Sequence, residues 1–182
     1  MVAILFEGKS DGKFFKDVLE AYNLPIKNIT YYDFKGKDNI FNIGHSYYDE
    51  IEDDIKNIGR IEKLFIVVDA DNPKDPNPNR GYEASEKKLK EIIEDLDFDI
   101  PIDYYIMCDD KKEGYLESFL LSVLDDEQKK CIETFKSCFT YELTDKWVYN
   151  SFYKHNEHPF DFNHENFNEL KQKLKNLFKE QK

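Results

Sequence analysis

Four apolar runs punctuate the chain, and after each the apolar residues change to helical spacing. The runs are Val2 to Phe6, Ile29 to Phe34, Leu64 to Val68 and Ile102 to Cys108. Aliphatic and aromatic residues without polar alternation are what a strand buried on both faces requires. After the first run Ser10 is the expected N-cap of a helix that places Phe14, Phe15, Val18, Leu19 and Tyr22 on one face. After the second, Gly36 and Asn39 mark a turn, and Tyr47, Ile51, Ile55 and Ile58 form a stripe that Gly59 stops. A polar loop from Asn72 to Gly81 follows the third run, and then Leu89, Ile92, Ile93 and Leu96 predict a helix over roughly Glu83 to Leu96. The fourth run leads to a helix beginning near Gly114, with Leu116, Phe119, Leu120, Val123 and Leu124 turned inward. Such alternation predicts an α/β fold: a mostly parallel four-stranded sheet, flanked by helices and joined by right-handed crossovers.

Beyond residue 125 the strand signal disappears. Ile132, Phe135, Cys138 and Phe139 suggest one helix, and Trp147, Val148 and Phe152 a shorter one capped by Thr144. Phe167, Leu170, Leu174, Leu177 and Phe178 suggest a final helix. The expected organisation is an α/β domain over residues 1–125 and a helical extension over 126–182 packed on it. The spacing of Trp147, Tyr149, Phe152 and Tyr153 favours core packing over a base-stacking role. His155, Glu157, His158, Asp161, His164 and Glu165 crowd one loop without a recognised metal spacing, and read as a polar surface.

Composition suits a folded protein, with 40% hydrophobic and 35% charged residues. Glu7 interrupts the first apolar run before a signal-peptide core or a membrane span could form, so a cytoplasmic protein with no membrane partner is expected. The three cysteines are odd in number and lack a CxxC, which supports neither a disulfide framework nor a zinc ribbon. A formal net charge of −12 argues against broad electrostatic attachment to nucleic acid, which needs clustered Lys and Arg. It leaves room for an enzyme that meets phosphate through a metal, for a protein partner and for a homo-oligomer.

The acids at the strand ends carry the chemistry. Three runs end in carboxylates: Glu7, then Asp69 with Asp71, then Asp109 with Asp110. In a parallel sheet the C-terminal strand ends share one edge, where open α/β sheets bind ligands. Converging carboxylates repel unless a cation neutralises them, and Mg²⁺ suits oxygen ligands, with Mn²⁺ as the alternative. Asp11, at the start of the first helix, and Glu117, on the first turn of the helix after the fourth strand, point to the same edge. Either acid could instead complement a helix dipole, worth ~0.3–1 kcal/mol.

These residues carry a family resemblance. Val2-Ala3-Ile4-Leu5-Phe6-Glu7-Gly8-Lys9-Ser10-Asp11 resembles the first motif of the Toprim domain, hydrophobic residues followed by Glu-Gly-x-x-Asp, and Val67-Val68-Asp69-Ala70-Asp71 resembles its Asp-x-Asp motif. Met107-Cys108-Asp109-Asp110 with Gly114-Tyr115-Leu116-Glu117 is similar to the Leu-Glu element of the overcoming-lysogenization-defect type of Toprim nuclease and of small stand-alone Toprim-like proteins. The resemblance covers about residues 1–124. It implies a Toprim-like, Rossmann-like fold and metal-dependent phosphoryl transfer on nucleic acid. It also implies a first Mg²⁺ on Asp69, Asp71 and Glu7, and a second site completed by Asp11 and Glu117. Glu7 is a general acid or base in some members; Lys9 could add a phosphate contact, although a surface lysine beside a helix start is the commoner arrangement, and Asp109 and Asp110 would stand one layer behind the ligands. The chain departs from the family's larger members in having no GxxxxGK[ST] and no tyrosine-bearing or zinc-binding partner domain. A non-catalytic Toprim-like metal-binding module acting through a protein partner is the second expectation.

Other acid-bearing families fit less well. A Ca²⁺ loop starting at Asp69 would have Pro73 at a ligand position and lacks the required glycine. A receiver domain expects an acidic pair after its first strand rather than Glu-Gly. A glycosyltransferase could use Asp-x-Asp, but the early Glu-Gly-x-x-Asp and the short chain do not suit it.

Overall fold

The computed structural model describes residues 1–152 and 160–179. Strands β1 (Val2–Phe6), β2 (Ile29–Asp33), β3 (Lys63–Asp69) and β4 (Ile102–Met107) form one sheet in the order β2-β1-β3-β4, every pair parallel. The α/β expectation is met, and the strand positions agree with the apolar runs to within a residue at each end. Register brings the tips together: Leu5 lies opposite Tyr32 on one side and Ile66 on the other, and Asp69 lies opposite Met107.

The two sheet faces bury alternate residues of the same strands. Ile4, Phe6, Phe65, Val67, Tyr105 and Met107 face helices α1 (Lys9–Ala21), α5 (Leu116–Ser122), α7 (Asp145–Phe152) and α8 (Asn168–Leu177). Ala3, Leu5, Leu64, Ile66, Val68 and Ile106 face α2 (Lys37–Ile40), α3 (Ser46–Lys56) and α4 (Tyr82–Leu96). Each fully buried Val, Leu, Ile or Phe contributes about 1.5–3 kcal/mol of transfer free energy, so the sheet is held by both coats. The C-terminal helices share a core with β1: Phe167, Leu170 and Leu174 are fully buried in the cluster that contains Val2 and Ile4. Among the described residues no helix is long and apolar enough to cross a membrane.

Several local expectations change. Helix α1 is capped by Gly8 rather than Ser10, because the Asp11 carboxylate accepts the Gly8 N–H at 2.9 Å and starts the helix two residues earlier. The turn at Gly36 contains the short helix α2, too brief for a periodic signal. Ile58 lies past the end of α3 and is 60% exposed, while Tyr48 joins the buried face. Helix α6 (Asp126–Ser137) holds Ile132 and Phe135 but ends before Cys138 and Phe139, and it buries no residue fully. Trp147 is 43% exposed, stacked on Phe135 with ring centroids 6.1 Å apart, and Val148 is the residue of α7 that enters the core. Gly12 is required by packing: a Cβ there would lie 2.7 Å from Cζ of Phe6, so the absence of a side chain lets α1 settle onto β1.

Candidate functional site

The tips of β1 and β3 and the first turns of α1 and α5 meet at the C-terminal edge of the sheet. Glu7 follows β1 directly, and its Oε1 accepts the Asp69 backbone N–H at 2.7 Å. Asp69 closes β3, and its Oδ1 accepts the Leu116 N–H at the start of α5 at 2.9 Å. Asp11 holds the Gly8 N–H through Oδ2, which fixes the turn between β1 and α1. Each carboxylate thus spends one oxygen on the backbone. Glu117, one residue into α5, is only 6% exposed and has no hydrogen bond or salt bridge among the described residues.

Their charges are not balanced locally. Burial pushes Glu7 up to about 7, opposed by its Asp69 N–H bond and by Lys37, and aided by the charges of Asp71 and Asp11. Burial likewise pushes Asp11 up to about 6, with Glu117 and Asp33 adding repulsion, while the Gly8 N–H and Lys146 oppose it. Asp69 is raised well above the usual carboxylate range by burial and by the charges of Glu7, Asp11, Asp71 and Glu117. Mutual influence of this kind places Glu7, Asp11, Asp69 and Glu117 in one electrostatic neighbourhood, although they come from three parts of the sequence.

Asp71 is different. Its backbone is left-handed, with φ 64°, and its N–H and C=O exchange bonds of 2.7 and 3.1 Å with Gly114, itself at φ +90°. A Cβ on Gly114 would approach Ser118 to 2.5 Å, so glycine is demanded twice over. This bridge fixes the direction of the Asp71 side chain. Oδ2 accepts from Lys37 Nζ at 2.7 Å and lies 3.2 Å from Arg80 Nη1. Lys37 is wholly buried, with a second bond to the Ala70 carbonyl at 3.3 Å. Arg80 is brought in because the loop after β3 closes on itself, the Gly81 N–H returning to the Ala70 carbonyl at 2.7 Å.

Neither Lys37 nor Arg80 stands out in the sequence, where both resemble surface cations. The available signal was position: Lys37 follows Gly36 at the end of a strand of the same sheet, and Arg80 precedes the glycine that ends the loop after β3. Other expected site residues stand apart. Lys9 is exposed. Asp109 accepts the N–H groups of Lys111 and Glu113 and so organises its own turn, and Asp110 is exposed. Of the polar loop, His155, Glu157 and His158 lie outside the described residues. Asp161 caps Asn163, His164 accepts the Asn166 N–H, and Glu165 is exposed.

A family model matches residues 2–159. The chain belongs to the DUF3226 family, described as a protein of unknown function. The match runs past residue 125, so the family includes α6 and α7 as well as the sheet. No curated protein and no solved structure matches the chain.

The residues fit a magnesium ion in donor chemistry. Among the described residues no group of three His, Cys, Asp or Glu side chains is gathered as a ready-made cage. Mg²⁺ does not demand one, since it is usually held by one or two carboxylates and keeps several waters. Glu7 and Asp69 each retain an oxygen without a hydrogen-bond partner among the described residues, and Glu117 retains two.

Proposed function

We propose that the chain is a Mg²⁺-dependent phosphoryl-transfer enzyme acting on nucleic acid, a nuclease of Toprim type. The observation that carries this reading is the meeting of acids at one strand edge: Glu7 and Asp11, pushed up by burial to about 7 and about 6, with Asp69 raised by burial and by its neighbours' charges, and Glu117 beside them with no cation bonded to it among the described residues. Burying unpaired charge is costly, and proteins tolerate it where a ligand supplies the missing counter-charge. Glu7 and Asp69 would hold the ion, with Asp11 and Glu117 beside it; Mn²⁺ would serve as well. When bound, such an ion supplies a Lewis acid for the oxygens of a phosphodiester.

The chain's own residues do the rest. The Asp69 N–H orients Glu7, and the Leu116 N–H orients Asp69, so both carboxylates are held by backbone rather than by mobile side chains. Burial pushes the Tyr115 and Tyr149 hydroxyls up, and the Glu117 charge adds to both. The net charge of −12 favours a second reading, a Toprim-like metal-binding module that works through a protein partner without cleaving nucleic acid.

The test is cleavage of plasmid, single-stranded DNA and RNA with Mg²⁺ or Mn²⁺. Glu7→Ala and Asp69→Ala are expected to lose about 100-fold or more while retaining the wild-type circular dichroism spectrum. Equal activity in all three proteins, or none in any, rejects the nuclease.

A further inference from the structure

The two acids of the Asp-x-Asp stretch are compensated in opposite ways. Among the described residues Asp69 has no cation on it; Asp71 has two, and one of them is wholly buried. The Lys37 side chain is 0% exposed, its ammonium sits 2.7 Å from Asp71 Oδ2 and 3.3 Å from the Ala70 carbonyl, and it lies 5.9 Å from the Phe41 ring centroid. Strand β2 is separated from β3 by β1, so Lys37 reaches across the tip of β1 to meet β3, above the strand end that bears Glu7. An ammonium with no route to water is retained only against a fixed negative partner. The left-handed backbone of Asp71, tied to Gly114 by two bonds, turns that carboxylate toward the lysine.

We propose that Lys37 is a built-in cation that occupies Asp71, so that the strand-end site holds a single divalent ion on the Asp69 side rather than a pair. The inference rests on the metal-binding reading above and deepens it. Lys37 is a positioning residue: it keeps Asp71 out of the ion's reach and supplies from the protein the second positive charge that a two-ion site takes from solution. Arg80 is the exchangeable member of the trio. Its side chain is 20% exposed, and it divides its charge between Asp71 at 3.2 Å and Asp38 at 3.5 Å. With Lys37 in place, Asp71 stays neutralised when Arg80 turns away, leaving the guanidinium for the phosphate of a substrate.

Equilibrium dialysis against Mn²⁺, with free ion counted by electron paramagnetic resonance, reads the stoichiometry without any substrate. The wild-type chain is expected to bind one ion, and the Lys37→Met, Arg80→Ala double variant two, because Asp71 is then released. Asp71→Asn is expected to change wild-type Mn²⁺ affinity less than about threefold, whereas Asp69→Asn weakens it at least about tenfold. Two ions on the wild type overturn the inference and leave the metal-binding reading standing. No ion overturns both. One ion on a folded double variant, or an Asp71→Asn effect as large as that of Asp69→Asn, overturns the inference alone. If the double variant does not fold, the wild-type stoichiometry and the two single carboxylate variants decide.

Discussion

Asp54 and Glu117 are equally buried, each 6% exposed, and their surroundings could hardly differ more. Asp54, on α3, is bonded to the Arg60 guanidinium and accepts from the Tyr32 hydroxyl at 3.4 Å. Burial, and then the Asp54 charge, push Tyr32 up to about 12. The carboxylate charge is met there by a guanidinium, and the pair of bonds on Oδ2 fastens α3 to β2. Glu117 adds its charge to those of Asp11 and Asp69 with no cation bonded to it among the described residues. The same side-chain chemistry therefore serves cohesion in one place and stores repulsion in the other. Burial alone does not mark a functional acid; burial without compensation does.

The largest effect expected from this contrast is on the pH dependence of stability without metal. Glu7 has a folded-state value of about 7 against 4.5 for the free side chain, and Asp11 about 6 against 3.8. A raised value means that the folded state holds the proton more tightly. The corresponding stability is complete below the free values and is lost as pH rises through the folded ones. Urea midpoints in a chelating buffer should therefore fall between pH 4 and pH 7, by about 3 kcal/mol for Glu7 alone. Mg²⁺ at a hundred times its dissociation constant should return about 2.7 kcal/mol at pH 8. A midpoint that rises steadily from pH 4 to pH 7 without metal would break the contrast.

Substitutions at the paired positions should move stability in opposite directions. Asp54→Ala is expected to cost about 1–3 kcal/mol, because it strands the buried Tyr32 hydroxyl. Glu117→Gln is expected to stabilise the metal-free protein, by removing one of the charges that repel Asp11 and Asp69 while keeping the shape. Both are read from urea unfolding at pH 8 in chelator, and Glu117→Gln should also reduce the gain on adding Mg²⁺. The smallest effect belongs to Lys9. As an exposed side chain, its change to alanine should leave stability within about 0.5 kcal/mol, with any loss of cleavage appearing in KM rather than kcat.

The strands were legible because a parallel sheet buried on both faces needs unbroken apolar runs, and Val2–Phe6 and Leu64–Val68 are such runs. The gathering of Glu7, Asp11, Asp69 and Glu117 was legible for a related reason, since parallel strand ends share an edge whatever their distance in sequence. Lys37 was not. A lysine's fate depends on where its long stem finds a counter-charge, and that follows from the crossover of β2 past β1 rather than from neighbouring residues. Trp147 misled in the opposite sense: helical spacing shows that residues share a face but not whether anything covers it, and here Val148 took the core position.

The burial of Phe167, Leu170 and Leu174 against the face that holds Val2 and Ile4 bears on synthesis as well as on packing. Helix α8 packs on β4, so the sheet face that begins with β1 is completed by a helix about 170 residues later in the chain. Until α8 arrives, nascent β1 and β3 present apolar surface to the cell, so the early sheet is the segment a chaperone would be expected to shield. The acidic strand tips are therefore assembled on a scaffold that closes only once α8 has been made.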